Sequence, residues 1–121
     1  MADAGLFIGF GQPVRGREAQ ALDIFNEAVA YYTALREQGQ IEDFDAVLLE
    51  AHGGDLGGFF LLRGDETSLA SVRMSDEFGR LTVRAGLIVD NFGVVAATLG
   101  TGLEQQMALY GNEIAEVAAI R

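Results

Sequence analysis

The element order legible in this chain is strand, helix, strand, strand, helix, strand, helix. It predicts an α+β fold: one four-stranded antiparallel sheet with helices on one face, the split βαβ arrangement, and an added C-terminal helix. Three observations carry that prediction. Long stretches repeat apolar residues at three- and four-residue steps, as amphipathic helices do. Short apolar runs bounded by glycine or proline lie between them, as strands do. Right-handed crossovers then leave few other sheets to build. At 121 residues, half of them apolar, the chain is long enough for a single domain over 1–121 with a substantial core.

The first strand is Leu6 to Gly11, where Leu6, Phe7, Ile8 and Phe10 run up to the only proline, Pro13. From Arg17 to Gln38 the residues Leu22, Phe25, Val29, Tyr32 and Leu35 mark one helical face, and Gly39 stands where a C-terminal cap belongs. Phe44 to His52 and Phe59 to Leu62 read as a hairpin around a glycine-rich loop, which sets Glu50 near Phe59 across the pair. Asp65 can cap a short helical turn through Arg73, and Ser75 a second helix carrying Phe78, Leu81, Ala85 and Ile88. Leu81 to Val89 is also rich enough in Val, Leu and Ile for a strand. The Phe78 to Ile88 spacing favours the helix and leaves Phe92 to Leu99 as the fourth strand. Thr101 with Glu104 three residues on is a capping-box signature, and Leu103, Met107, Tyr110, Ile114 and Val117 follow on one stripe.

Helices cover only one face of such a sheet, yet the strands are almost continuously apolar, from Leu6 to Phe10, Val47 to Leu49, Phe59 to Leu62 and Val94 to Ala97. A second copy is the economical cover for the other face, and this predicts an isologous homodimer with its sheets packed face to face. In this element order and strand apolarity the chain resembles the dimeric α/β-barrel superfamily of ferredoxin-like proteins, in which two such sheets make a barrel. The resemblance covers nearly the whole chain. It implies a ferredoxin-like fold and brings in cofactor-independent monooxygenases, isomerase-like enzymes and regulatory domains without selecting among them.

The charged residues are all eight arginines and eighteen carboxylates, for a net charge of −10, which argues against a nucleic-acid partner. With no cysteine and one histidine, thiol chemistry and multi-histidine metal sites are excluded, and neither a metal nor a cofactor is expected. No stretch reads as a signal peptide or membrane span, so a cytoplasmic protein without a membrane partner is expected.

His52 is the only side chain that ordinarily titrates near neutrality, and Glu50 lies two residues before it, on the same side if both are in a strand. The two are candidates for a catalytic acid/base pair. The alternative is an exposed hairpin end with Glu50 facing water. Arg63, closing an apolar run, is a candidate anchor for an anionic ligand, or a strand-end charge paired with Asp45 or Asp65. Tyr32, with Tyr31, Met107 and Tyr110, is a candidate for lining a ligand pocket, though such stripes also simply fill cores. Arg73, Arg80 and Arg84 follow Arg63 closely, but Asp76 and Glu77 stand at helical spacing before Arg80 and suggest a solvated ion-pair face. Gly9 to Gly16 matches no phosphate-loop spacing, so its glycines point to a tight strand end or close backbone packing.

Three readings of function follow. The first is a small homodimer that binds a small organic molecule in or beside the barrel. The second is a cofactor-independent monooxygenase- or isomerase-like enzyme using Glu50 and His52, with Arg63 holding an anionic oxygen. The third is a structural or regulatory dimer whose barrel is filled by Phe and Leu side chains.

Overall fold

The computed structural model describes residues 2–120. The elements run β1 (Ala4–Phe10), α1 (Glu18–Glu37), β2 (Asp43–Leu48), β3 (Gly58–Gly64), α2 (Glu66–Arg73), α3 (Asp76–Ile88), β4 (Gly93–Thr98) and α4 (Gly100–Ala119). The four strands form one sheet in the order β2-β3-β1-β4, with every neighbouring pair antiparallel. The predicted α+β architecture is therefore present, and Leu81 to Ile88 lies in a helix.

Strand alternation divides the sheet into two faces. In β1, Leu6 and Ile8 point to the helices, and their partners Leu62 and Phe60 of β3 do the same. With Tyr32 and Leu35 of α1, Leu69 and Val72 of α2, and Phe78 and Leu81 of α3, they make the core. The helices are placed by their ends. Asp65 accepts a hydrogen bond from the Ser68 backbone N–H at 2.9 Å, and Ser75 accepts from that of Phe78 at 3.3 Å, so α2 and α3 are separate, individually capped helices. Gly39 has φ +75° just past α1, the left-handed position expected of a glycine there.

The opposite face carries Phe7 and the glycines 5 and 9 of β1, Phe59 and Leu61 of β3, Val47 of β2, and Val95 and Ala97 of β4. None of these alternates toward polar residues, and the Phe7 and Phe59 rings stack at 5.0 Å. Polar groups on this face are confined to one edge, where Asp43 and Asp45 of β2 flank Arg63.

Two boundaries differ from the sequence reading. β2 ends at Leu48 rather than running to His52, because after the Leu49 N–H bonds to the Gly57 carbonyl at 2.9 Å the chain leaves the ladder. Val47, not Glu50, lies opposite Phe59. The Thr101 to Glu104 capping box does not form either. Leu99 is held as an extension of β4 by a bond from its N–H to the Asp3 carbonyl, and α4 starts at Gly100 with no side-chain cap. A Cβ at Gly100 would sit 2.7 Å from the Ala2 carbonyl oxygen, so only glycine makes that turn.

Leu62 is fully buried at the centre of the core. Leu62→Ala is expected to lower the unfolding free energy by about 3 kcal/mol, as cavity-forming core truncations do, measured by urea denaturation with unchanged m-value.

Candidate functional site

The helix-side face of the sheet is not filled to one end. A cavity of about 520 Å³ opens between α1, α3 and the sheet. Its floor is Ile8 and Phe10 of β1 and Phe60 of β3; one wall is Ala21, Phe25, Ala28 and Tyr32 of α1, the other Leu81, Thr82 and Ala85 of α3. Residue size contributes to the space: Ala21 and Ala28 of α1 and Ala85 of α3 line it with small side chains. Aromatic rings bound the rest. Phe25 and Tyr32 lie 5.1 Å and 5.0 Å from the Phe60 ring, and Phe10 lies 6.0 Å from it.

Backbone bonds hold the rim of the cavity beside the end of β1. The Gly11 N–H donates to the Asp90 carbonyl at 2.7 Å, the Asp90 N–H to the Gln12 carbonyl at 2.9 Å, and the Val14 N–H to the Ile88 carbonyl at 2.7 Å. A Cβ on Gly11 would come within 2.7 Å of the Asp90 oxygen and 2.9 Å of the Asp55 oxygen. This is the close backbone packing that the glycines of this segment suggested.

Polar atoms are few and lie toward the mouth, on Gln12, Glu18, Asn26 and Thr82. The Gln12 and Asn26 amides have no hydrogen-bond partner among the described residues. The Thr82 hydroxyl donates to the Gly79 carbonyl at 3.0 Å and keeps its acceptor capacity. The Glu18 carboxylate accepts from the Gly16 N–H at 3.1 Å. Leu22, Leu48 and Leu49 form an exposed apolar lip. Such a surface can hold an apolar body and orient one or two polar groups on it.

Of the four candidate residues read from sequence, Tyr32 lines this cavity and Glu50, His52 and Arg63 do not. Glu50 and His52 are exposed in the loop after β2. The His52 Nε2 atom lies 2.7 Å from the Leu56 carbonyl oxygen, and Nδ1 accepts from the Gly54 N–H at 3.2 Å, so the ring bridges its own loop. Arg63 sits on the other face of the sheet, ion-paired with Asp45 and, at 3.5 Å, with Asp43. Asp43 also accepts the Phe44 N–H and a hydrogen bond from Arg36 at 3.1 Å. The first of these, then the second, lowers its carboxyl below the usual range. Arg84 pairs with Glu27 of α1 rather than within α3. Gln12, Asn26 and Thr82 were not singled out from sequence; the available signal was the small residues Ala21, Ala28 and Ala85 on the helices that wall the cavity.

A second cavity of about 500 Å³ lies beneath the first turns of α4, lined by Arg73 and Glu66 with Gln105 and Gln106. The Arg73 guanidinium there donates to the Val94 carbonyl at 3.2 Å. Among the described residues no cluster of three or more His, Asp or Glu could hold a metal ion, and no helix is long and apolar enough to cross a membrane.

No protein-family model matches the chain, and no curated protein matches it in sequence. Solved structures do match it. It is similar to a dimeric protein of unknown function and ferredoxin-like fold from Bacteroides fragilis, with TM-score 0.58 and 11% identity over 79% of this chain and 96% of that one. A dimeric ferredoxin-like protein of unknown function from Jannaschia gives TM-score 0.60 and 16% identity over 80% and 98%. The fold is ferredoxin-like. A cofactor-independent oxygenase from Streptomyces nogalater shares it more distantly, with TM-score 0.52 and 14% identity over 82% and 95%.

Burial, and secondarily the neighbouring Tyr31, raises the Tyr32 phenol well above its ordinary value of 10.0. The folded state thus holds this proton more tightly than the unfolded chain does. The stability it contributes is full below pH 10 and declines as pH rises from there toward the folded value. Unfolding free energy measured from pH 8 to 11 is expected to fall above pH 10, and Tyr32→Phe to flatten that fall.

Proposed function

We propose that this protein is a homodimer in which each copy binds a small, largely apolar organic molecule between α1, α3 and the sheet. The observation that carries the binding reading is the cavity of about 520 Å³, within the size range of small-molecule sites and lined mostly by aromatic and aliphatic side chains. The unpartnered Gln12 and Asn26 amides and the Thr82 oxygen suit a ligand with a carbonyl or hydroxyl at one end.

The dimer reading rests on the apolar sheet face of Phe7, Phe59, Leu61, Val47 and Val95, and draws support from the dimeric proteins that share the fold. These side chains would fill a barrel made by two such sheets, as the purely structural reading expects. The cavity lies outside that barrel, on the helix side of the sheet, so a filled barrel and a ligand site are compatible.

Binding is favoured over catalysis by oxygenase- or isomerase-like chemistry because Glu50, His52 and Arg63 do not line the cavity. The titratable side chains that do are Glu18 at the mouth and Tyr32, whose proton is held tightly. Proton transfer at neutral pH needs a group poised near that pH.

Two measurements test this proposal. Nile red, a neutral apolar dye, is expected to bind at one site per chain, and Ala28→Phe, which fills the space between α1 and β3, to abolish that binding while the fold remains. If the space were packed, Ala28→Phe would instead destabilise the fold by about 1–3 kcal/mol without changing dye binding. For the dimer, Leu61→Asp on the open face is expected to give a folded monomer in sedimentation equilibrium. Phe60→Asp, one residue away and only 3% exposed in the core, should prevent folding. A Leu61→Asp protein that still sediments as a dimer would overturn the sheet-face assembly.

A further inference from the structure

The helix α4 is 20 residues long and has no buried residue. Its stripe of Leu103, Met107, Tyr110, Ile114 and Val117 is between 49% and 66% exposed. The stripe repeats at alternating four- and three-residue steps over two heptads, the narrow pattern of a helix with a single packing partner. The helix meets its own domain at β4, and its first turns lie over the groove beside α2. We infer that α4 is an exchanged arm, which lies on a second copy of this chain and covers the mouth of that copy's cavity at Leu22, Leu48 and Leu49. The inference rests on the sheet-face dimer proposed above.

Three observations favour this occupant and this seat. The first is area. The open face of a four-stranded sheet with six- or seven-residue strands measures roughly 14 Å by 20 Å, about 300 Å² per copy. A stable interface covers about 800 Å² per partner. Two arms and their two seats extend the contact beyond the sheets, and the surface is continuous with them because Leu99, at the root of α4, packs beside Gly5 on the open face. The second is reach. Twenty residues of helix span about 30 Å. That is about twice the width of the sheet, so an arm leaving the β4 edge can pass the far edge of a partner, where β2 leads into Leu48 and Leu49.

The third is charge. Between residues 100 and 120 the ionisable side chains are Glu104, Tyr110, Glu113 and Glu116, with no cation among them. Pairing α4 with its own copy would oppose these carboxylates, and an anionic membrane surface would repel them. Beside the cavity mouth, in contrast, Arg15 and Arg17 are exposed and have no ion-pair partner among the described residues. Leu22, Leu48 and Leu49 there supply the apolar contact that the stripe lacks on its own domain.

The absence of cysteine from the chain makes the seat directly testable. Ile114→Cys and Leu49→Cys proteins, purified separately, mixed to allow subunit exchange and treated with a short bis-maleimide, are expected to give a covalent heterodimer at least tenfold above either protein alone. Met107→Glu with Ile114→Glu is expected to weaken the dimer at least tenfold in sedimentation while the domain's thermal transition persists. Cross-linking between two Ile114→Cys chains would mean that α4 pairs with itself, and would overturn the inference. So would cross-linking confined within a single chain carrying both cysteines, or an unchanged dimer in the glutamate variant. No cross-link between the two cysteine variants, with the wild-type chain sedimenting as a dimer, removes the arm alone; a wild-type chain that sediments as a monomer removes the sheet-face dimer as well.

Discussion

Everything in this molecule depends on the pairing of β1 with β3, two central strands that are apolar on both sides. From Ala4↔Gly64 to Phe10↔Gly58 the register sends Leu6, Ile8, Phe60 and Leu62 toward the helices and Phe7, Phe59 and Leu61 away from them. Only the first set is packed into the core beneath the helices. Because side chains alternate strictly, a shift of one residue would exchange the two sets and bring Arg63 into the core, so the register is fixed by the cost of burying an unpaired charge. The face left over is apolar and has no helix over it, and the proposed dimer rests on this.

The same pairing explains why a cavity can exist. Phe60 and its neighbours provide an aromatic floor, while above it α3 is capped by Ser75, tied to α1 by the Arg84 and Glu27 ion pair, and joined at its C-terminal end to the segment after β1 by backbone bonds. Elements fixed in this way cannot collapse onto the small residues between them. The small Ala21, Ala28 and Ala85 side chains then line the space that is left between them.

The sequence disclosed the fold because periodicity carries it. The α1 stripe, the capping residues Asp65 and Ser75, and the glycine after α1 all sit where local chemistry places them. It disclosed less at β2 and α4, where tertiary bonds decide the boundary: Leu49 pairing with Gly57 ends one element, and Leu99 pairing with Asp3 delays the other. The site was the least legible. Reading Glu50 and His52 as neighbours on a strand followed from a hairpin drawn too long, whereas the loop uses both ring nitrogens of His52 for its own backbone. A cavity arises from what side chains fail to fill, and small residues on different elements reveal it only once the topology brings them together. Tyr32 was found because it is both an aromatic of the core and a wall of that space.

Charge completes the account of Arg63. A chain with net charge −10 that associates with itself opposes two strongly acidic bodies, so the surface brought together must carry little of that charge. On the open sheet face the acidic residues are Asp43 and Asp45, and Arg63 and Arg36 stand against them as two cations facing two anions. The edge is thereby neutral while the rest of the face is apolar. In the proposed dimer, Arg63 acts with Arg36 to discharge the rim of an interface, which gives it a place in the assembly that does not require an anionic ligand.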